Sequence, residues 1–572
     1  MFKTLAKLIV EVLESQNVKF VFGIPGAGTL ELFDALIESK IKNILVTHEQ
    51  SASFMADAYS RLTGEVGVCC TIGGPGITNM FTGLSEALLD SSSVVVLVSS
   101  TSEDANKSFH IHEINQLKAL EPIVKKVLRV QEKKTLSKVV SEAFYLAKSA
   151  EPGPVVVEIP KNISRETAIF SGHSNEIYQD ETGIDEKIKE IANMLMTSKF
   201  CCIYAGRGAF EASEELIKLA QRFSAPILTT VSGRGIIPED HELAVGFGFG
   251  QEGFNLSKEI LRKADTVLAV GCKFSEFATL HWSIKMTGNL IHIDKNKNVL
   301  NKNYPAKIAL VCDAKRSLRK ILTVIKDFER NKNRNLIKKI RTTKEKYLKY
   351  AESIKSNQGV SPVRLYYELR KLLDRNSILI TDCGNHQLWA ISSFPIFEKR
   401  TFISPSDFQA MGFCIPAGIA AGIAYPKRKV ICACGDGGFL MTGFELLTAV
   451  REKLNLTVII FNDNAFGLIK EMQKVVYCKT AAVDFINPNY RALSDSFGIR
   501  YAEINQNEEI EDALKYALQQ DRATIVNCKI KYESLPEYVK IFLRSGFQTS
   551  AFNQKLKSIS KFVLRHFSSL TI

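Results

Sequence analysis

A glycine-rich turn in the C-terminal third of the chain carries a carboxylate where a phosphate could also bind. The turn, Gly435-Asp436-Gly437-Gly438, follows the apolar run "KVICAC" and precedes a helix-like stretch beginning near Phe439. Glycines let a ligand approach the backbone closely, and the free N–H groups at a helix start attract an anion. Asp436 would repel that anion unless a hard cation such as Mg²⁺ bridged the oxygens of both groups.

A second carboxylate ends the next apolar run. Asp463 stands in "NDNAFG", directly after the strand-like "LTVIIF". The carboxyl ends of neighbouring parallel strands meet at one edge of a sheet, so Asp436 and Asp463 are expected to converge on one ion. A lone Gly-Asp-Gly is a common turn. Followed by Asn462-Asp463-Asn464 with a strand and helix pattern between them, it predicts a site for magnesium and a phosphate group.

A third carboxylate lies far away in the N-terminal region. Glu49 follows the apolar run "NILVT" and opens the helix-like "EQSASFMADAYSRLTG". A carboxylate at the end of a buried strand is costly unless a partner uses it. The plain alternative is a glutamate that caps the helix.

The elements that must position these residues alternate between strand-like and helix-like stretches, which predicts an α/β fold with parallel sheets. Three blocks are expected, at residues 1–165, 185–325 and 360–532. The polar stretch "SGHSNEIYQDETGIDEK" separates the first two, and a charge-rich stretch beginning at Lys326 separates the last two. A basic tail, residues 533–572, follows.

Composition narrows the functional classes. No apolar run reaches the ~18 residues of a membrane helix, and the N-terminal stretch, with Glu11 inside it, is interpreted as a helix and not a signal peptide. The 12 cysteines show no Cys-x-x-Cys spacing and mostly lie in apolar contexts, which predicts reduced thiols in a cytoplasmic protein. The net charge of +13 comes with no nucleic-acid motif, so it is interpreted as a lysine-rich surface.

The chain resembles the thiamine diphosphate-dependent enzymes, specifically the acetolactate synthase large-subunit group, over roughly residues 3 to 530. Besides the turn at Asp436, the resemblance rests on "VFGIPGAGTLELFDAL", "HEQSASFMADAYSRLTG", "GGPGITNMFTGLSEALLDS", "EPGPVVVEIPK", "TDCGNHQLWA" and "QAMGFCIPAGIAA". It implies three doubly wound parallel-sheet domains: a pyrimidine-binding domain, a central domain and a diphosphate-binding domain. It also implies an active site formed between two chains, hence a homodimer or homotetramer.

The resemblance assigns roles to particular residues. Glu49 is expected to bind N1′ of the cofactor aminopyrimidine and relay a proton, and Met411 to hold the cofactor in a bent shape. The carbonyl of Ala410 or Gln409 is expected to receive the aminopyrimidine. The diphosphate and its Mg²⁺ are expected to lie against Asn385, His386, Gly435, Asp436, Gly437, Gly438, Asp463, Asn464 and Ala465, with Asp436, Asp463 and the Ala465 carbonyl as the metal ligands.

The implied reaction is decarboxylation of pyruvate or a similar 2-oxo acid, followed by transfer to a second carbonyl. A flavin-linked pyruvate oxidase and a non-oxidative decarboxylase are the alternatives. The adjacent histidine pair of simple decarboxylases is absent, because Ile111 separates His110 from His112. Glu151 and "CKFSEFAT" replace family segments that contact FAD and argue against tight FAD binding, which is left open.

Two further features bear on partners. No tryptophan follows "NDNAFG", where Met472 would leave room for an acceptor.

In the tail, basic residues alternate with apolar residues at helical spacing. This pattern is typical of a helix on an anionic membrane surface, or of a helix packed on a neighbouring subunit.

Overall fold

The computed structural model describes residues 3–101, 109–161, 167–168, 183–248, 250–356, 358–532 and 539–540. Within this part of the chain there are three six-stranded sheets, each wholly parallel, and one two-stranded antiparallel sheet. The expected fold class of three doubly wound α/β domains is therefore confirmed. Each helix described is too short or too polar to cross a bilayer.

The first sheet has the strand order β3-β2-β4-β5-β7-β6, and β1 pairs with β8 outside it. The strands of this domain are β1 (Lys3–Thr4), β2 (Phe20–Gly23), β3 (Lys42–Leu45), β4 (Gly67–Thr71), β5 (Val94–Ser100), β6 (Lys126–Arg129), β7 (Pro154–Pro160) and β8 (Thr167–Ala168). The helices are α1 (Leu5–Ser15), α2 (Leu30–Ile37), α3 (Glu49–Thr63), α4 (Pro75–Asn79), α5 (Phe81–Leu89), α6 (Gln116–Leu120) and α7 (Leu136–Lys148).

The central sheet has the order β11-β10-β9-β12-β13-β14. Its strands are β9 (Cys201–Ala205), β10 (Ile227–Thr229), β11 (Ala244–Gly246), β12 (Thr266–Val270), β13 (Asn289–Asp294) and β14 (Ile308–Val311). The accompanying helices are α8 (Ile184–Thr197), α9 (Ser213–Phe223), α10 (Gly250–Lys263) and α11 (Ala314–Val324), and α12 (Arg334–Ser353) leads to the third domain.

The third sheet has the order β16-β15-β17-β18-β20-β19. Its strands are β15 (Ile378–Thr381), β16 (Phe402–Ile403), β17 (Val430–Gly435), β18 (Leu456–Asn462), β19 (Arg500–Ile504) and β20 (Thr524–Lys529). The helices are α13 (Pro362–Leu372), α14 (Asn385–Ser393), α15 (Cys414–Ala424), α16 (Asp436–Thr442), α17 (Leu446–Arg451), α18 (Gly467–Tyr477), α19 (Tyr490–Phe497) and α20 (Ile510–Leu518).

The chain direction across the third sheet changes between β15 and β17. From β15 the chain continues to β16 on one side and then returns to β17 on the other. At such a switch point the connections leave the carboxyl ends of two adjacent strands in opposite directions and open a crevice. Both strands are apolar and buried along their length, because helices cover both faces of the sheet. The polar residues that follow them are therefore brought to the crevice.

The first and third domains share one apolar core. Helix α3 packs against α15, and the rings of Phe54 and Phe413 meet edge to face with centroids 5.5 Å apart. Residues of both domains belong to the same buried hydrophobic cluster. The two sheets are thus joined by an interface that resembles a domain interior.

A buried arginine connects the same two domains. Arg61 on α3 binds Asp57 at 2.5 Å, Glu86 at 3.2 Å and Asp90 at 2.9 Å, and donates to the Ser404 carbonyl at 3.0 Å. Burial, followed by the charge of Asp90, raises the pKa of Glu86 well above its usual range. Burial alone would also raise the pKa of Asp90, but Arg61, the hydrogen bonds from Glu86 and Ser406 and the charge of Arg207 together hold that pKa low. One guanidinium therefore supports several buried acids.

We expect Arg61→Met to lower the unfolding temperature strongly. Removing one partner of a buried ion pair leaves uncompensated charge and costs about 3–5 kcal/mol. Differential scanning calorimetry measures the effect. The matched control is Lys7→Met, because the Lys7–Glu38 pair lies on the surface and exposed pairs contribute little. Equal shifts for both variants would contradict a special role for Arg61.

Candidate cofactor site

A cavity of about 120 Å³ lies at the switch point of the third sheet. Three segments form most of its wall: the loop after β15, the turn after β17 and the loop after β18. Of the residues predicted from the sequence, the cavity is lined by Asn385, His386, Met411, Gly435, Asp436, Gly437, Gly438, Asp463 and Ala465. The fold thus brings together residues that are up to 80 positions apart in the chain.

Asp436 opens α16 at the edge of the sheet, three residues before the expected helix start at Phe439. Its carboxylate is 1 % exposed. One oxygen accepts from the Gly437 N–H at 2.9 Å, and the other accepts from the Asn464 N–H at 2.7 Å. Burial raises the pKa of Asp436. The carboxylate is held in one position by backbone amides, which suits an acid that must face an ion.

Asp463 lies beside Asp436 because Gly435 pairs with Phe461 in the register of β17 and β18. Burial and then the negative charge of Asp436 raise the pKa of Asp463 to about 7. Two neighbouring carboxylates that disfavour each other's ionisation would be stabilised by a divalent cation. Among the described residues, no three side chains of His, Cys, Asp or Glu converge on one point. An ion here would therefore need amide, backbone or ligand oxygens as well.

Asn487 is a residue of this site that the sequence patterns did not indicate. Its side-chain amide donates to Asp436 at 2.8 Å, to Asn462 at 3.0 Å and to Asn464 at 3.1 Å. Asn464, which does not itself line the cavity, adopts a left-handed φ of 54°. Asn487 thereby ties the loop after β18 to the turn after β17. It stands in "INPNY", which carries no recognisable local signal.

Asn385 and His386 begin α14 on the other side of the cavity. Both are buried, and the described residues offer no hydrogen-bond partner to Asn385 Oδ1 or His386 Nε2. Burial lowers the pKa of His386 to about 3, so the ring is neutral and able to donate one N–H. Buried polar atoms are nearly always satisfied. These two atoms therefore point to a polar ligand in the cavity.

The loop that carries Met411 is held by carboxylates from two directions. Asp382, at the end of β15, accepts from the Gly412 N–H at 2.9 Å and the Cys383 N–H at 3.0 Å. Glu86, from the first domain, accepts from the Ala410 N–H at 3.0 Å. Burial raises the pKa of Asp382 to about 7. Asp382 was missed, although a carboxylate directly after a buried strand is the same signal that Asp436 gives.

The glycines of the turn are required by close packing. A Cβ added to Gly437 would lie 2.7 Å from the ring of Phe466, and one added to Gly438 would lie 2.3 Å from Asp382 Oδ2. Both distances are too short for real atoms. The turn therefore brings its backbone against β15 and the loop after β18 only because side chains are absent.

Glu49 does not line this cavity within one chain. It begins α3 at the carboxyl edge of the first sheet, and its Oε2 accepts from Asn79 Nδ2 at 2.9 Å. His112 lies at the same edge, where its Cβ would be 2.8 Å from a Cβ added to Gly74. A single chain therefore presents two separate parts: a polar cavity in the third domain and a partly exposed glutamate in the first.

A second cavity, of about 230 Å³, lies at the switch point of the central sheet and is lined by all three domains. Glu151 is one of its lining residues. It forms an ion pair with Lys273 and accepts from the Ser91 hydroxyl at 2.7 Å. Burial alone would raise the pKa of Glu151, but Lys273 and the hydrogen bonds from Ser91 and Asn296 together hold that pKa low. Lys273 is thus already paired with an acid, and the wall also holds the acids Asp294 and Asp407 and the cations Arg207, Lys295 and Arg400.

The chain is similar to known proteins along most of its length. Residues 3–119, 188–321 and 382–528 match the families described as the N-terminal TPP binding domain, the central domain and the C-terminal TPP binding domain of thiamine pyrophosphate enzymes. The probable acetolactate synthase large subunit of Methanocaldococcus jannaschii is 31 % identical over 552 residues, covering 93 % of both chains.

Bacterial relatives give the same result. The acetolactate synthase large subunit of Lactococcus lactis is 29 % identical over 555 residues, covering 95 % of both chains. The acetolactate synthase isozyme 1 large subunit of Escherichia coli is 28 % identical over 536 residues, covering 92 % of this chain and 94 % of its own. The resemblance expected from the sequence motifs is therefore confirmed.

Gly438→Ala should disrupt the cavity wall. The added Cβ would displace the Asp382 carboxylate from the Gly412 N–H, and overpacking of this kind costs about 1–3 kcal/mol. We expect a lower unfolding temperature and a smaller stabilisation by added thiamine diphosphate, both measured by thermal denaturation. Gly422→Ala is the control, because its Cβ would meet Leu454 at an ordinary 3.5 Å. Full stabilisation by the cofactor in Gly438→Ala would contradict the packing argument.

Proposed function

This chain belongs to the thiamine pyrophosphate enzyme family and is an acetolactate synthase-like, thiamine diphosphate-dependent enzyme, and from that premise we propose that it decarboxylates pyruvate or a similar 2-oxo acid and joins the remaining fragment to a second carbonyl compound. The observation that carries the proposal is the convergence of a buried aspartate, a half-buried aspartate, a glycine turn and unpartnered polar atoms at one switch point. Bound thiamine diphosphate supplies a thiazolium ring that accepts the electron pair released on decarboxylation.

The residues of the third domain fit the diphosphate end of this cofactor. Asp436, Asp463 and the carbonyl of Ala465 would hold Mg²⁺, which takes oxygen ligands from carboxylates and phosphate together. The cation would offset the burial and the repulsion from Asp436 that together raise the pKa of Asp463. The Asn385 side-chain NH2 would donate to a phosphate oxygen, and His386 Nε2, which has no described partner, would do so in its Nε2–H tautomer. Met411 would support the middle of the cofactor, and the carbonyl of Ala410 or Gln409 would receive the aminopyrimidine.

Glu49 completes the site when it is supplied by a second copy of the chain. Its proposed role is to bind and release a proton at N1′ of the aminopyrimidine, as a positioned general acid–base group does. Support comes from the separation of Glu49 and the cavity within one chain. Further support comes from apolar side chains beside the cavity, which are exposed in the single chain: Leu440 (47 %), Met441 (52 %) and Phe444 (65 %). Exposed apolar patches of this kind mark protein interfaces. We therefore propose a homodimer or homotetramer.

The two alternatives differ from the ligase only in the step after decarboxylation. An oxidase would need FAD at the central cavity. A dinucleotide diphosphate there would meet Glu151, whose neighbour Lys273 is already paired, which argues against tight FAD binding. Arg207, Lys295 and Arg400 also line the cavity, so FAD is left open and no step is assigned to it. A decarboxylase would need a proton donor, and its adjacent histidine pair is absent. A ligase needs space for the second carbonyl compound. Met472 lies on α18, after "NDNAFG", where no tryptophan is present, and would leave that space.

Two further proposals concern the setting of the enzyme. The cysteines are free, and all except Cys383 and Cys478 are buried, which supports a reducing compartment such as the cytoplasm. The proposed membrane-surface role of the basic tail concerns residues 533–572, which lie outside the described residues apart from 539 and 540. The sequence pattern alone supports it.

Mixing two inactive variants tests the shared site. Glu49→Gln should lower turnover by about 10²- to 10⁴-fold, and Asp436→Ala should abolish Mg²⁺-dependent cofactor binding. When the two variants are unfolded together and refolded, mixed dimers contain one site with both wild-type residues. We expect recovery to about a quarter of wild-type turnover, since random pairing makes half of the dimers mixed. No recovery, with mixed dimers demonstrated by mass spectrometry, would contradict a site made from two chains.

A product profile separates the three reactions. Purified protein is given pyruvate, thiamine diphosphate and Mg²⁺ without flavin, with and without a panel of carbonyl acceptors. We expect a C–C coupled 2-hydroxy-keto product to form faster than acetaldehyde, measured by mass spectrometry. Acetaldehyde as the main product would favour the decarboxylase. Strict dependence on added FAD, with reduction of a quinone, would favour the oxidase.

A further inference from the structure

The third domain reaches across the shared core to the loop that leads to Glu49. Glu445, in the 3₁₀ helix Gly443–Glu445 between α16 and α17, is only 1 % exposed. Its two carboxylate oxygens accept from the Thr47 N–H at 3.1 and 3.2 Å, and one of them also accepts from the Thr47 hydroxyl. Thr47 stands two residues before Glu49. Both of its donor groups are therefore directed at one carboxylate of another domain.

Neighbouring contacts hold the same stretch of backbone. The Leu45 carbonyl accepts from the Thr448 hydroxyl at 3.2 Å and from Arg451 at 2.6 Å. The single proton of the Thr448 hydroxyl can instead go to Glu445, at the shorter distance of 2.5 Å. The chain is thus bound on both sides of Val46: Leu45 contacts α17, and Thr47 contacts the 3₁₀ helix that precedes α17. Glu445 provides the contact nearest to Glu49.

A carboxylate is a costly choice for simple packing at this position. A buried acid loses its hydration and must recover it from donors, whereas an apolar side chain would fill the space at no such cost. The carboxylate adds a directional constraint. Because its two oxygens accept the N–H and the O–H of one residue, they fix the position of Thr47 closely. Hydrogen bonds to an ionised acceptor are also about twice as strong as neutral ones.

We infer that Glu445 is a positioning residue, which fixes the backbone at Thr47 and thereby directs the Glu49 side chain toward the cofactor. The inference rests on the proposed role of Glu49. Since Glu49 begins α3, a shift of its N-terminal loop moves the carboxylate while the rest of the helix stays packed against α15. A displacement of about 1 Å in a reacting group is enough to cost roughly 10²-fold in rate.

The test uses the full chain and three substitutions. Glu445→Ala removes both acceptors, Glu445→Gln keeps one, and Thr47→Val removes the hydroxyl donor but keeps the amide. The control is Glu452→Gln, because the Lys42–Glu452 ion pair joins the same two domains at their exposed edge but does not touch Thr47. If Glu445→Ala does not fold, Glu445→Gln and Thr47→Val carry the test.

Hydrogen–deuterium exchange of the cofactor-free protein gives the first readout. Peptides covering residues 42–50 should exchange faster in Glu445→Ala and Glu445→Gln than in the wild type or Glu452→Gln. Kinetics give the second. We expect kcat to fall by about 10- to 100-fold in Glu445→Ala and less in Glu445→Gln. KM for the 2-oxo acid and Kd for thiamine diphosphate should change less than about threefold, because the cavity of the third domain is intact.

A double variant separates this inference from the proposed function. If Glu445 acts through Glu49, adding Glu445→Ala to Glu49→Gln should lower turnover no further than Glu49→Gln alone. Near-normal turnover in Glu49→Gln would overturn the proposed function itself. A severe loss in Glu49→Gln together with unchanged kcat in Glu445→Ala would overturn only the inference. Parallel losses of kcat, cofactor affinity and unfolding temperature in Glu445→Ala would also overturn it, in favour of a merely structural role.

Discussion

The packing of α3 against α15 is the interaction on which both parts of the candidate site depend. It joins the first and third domains in one apolar core, and buried carboxylates cross that interface in both directions. Glu86 of the first domain holds the Ala410 N–H of the third, and Glu445 of the third holds the Thr47 N–H of the first. Each domain therefore fixes the loop that the other contributes to the site. A hinge between these domains would loosen both loops together.

Acids that are buried or half-buried recur throughout this arrangement, and most of them have partners that offset the cost of burial. Arg61 supports three of them at the interface. Backbone N–H groups support Asp382 and Asp436. The half-buried Asp463 is the exception, because burial and then the charge of the neighbouring Asp436 raise its pKa to about 7. In our proposal a magnesium ion and the cofactor diphosphate supply the missing counterpart. Asp382 and Asp463 both have a pKa of about 7, so it is the neighbouring carboxylate of Asp436, and not the pKa value, that sets Asp463 apart.

The predictions that succeeded rest on local patterns. Apolar runs ending in polar or glycine residues predicted parallel strands, and the three six-stranded sheets confirm that fold class. The sequence also placed Asp436 and Asp463 on neighbouring strands, and the register of β17 and β18 brings them to the same edge. Asp382, Asn487 and Glu445 were not predicted. Asp382 gave a usable signal that was overlooked. Asn487 and Glu445 gave none, because an asparagine in a loop and a glutamate in a short helix are usually solvated.

By itself the sequence determined the elements, the chemistry available at the end of each strand and the family. Strand burial, helix starts and glycine turns depend on residues close together in the chain, so their signals are readable there. Only the tertiary structure decided which acids are partnered and by what. Arg61 meets Ser404, and Thr47 meets Glu445, across more than 340 residues, and no local pattern encodes such a pairing. It also decided that Glu49 and the cavity stay apart in one chain, because the core that α3 and α15 share holds the two domains in a single orientation.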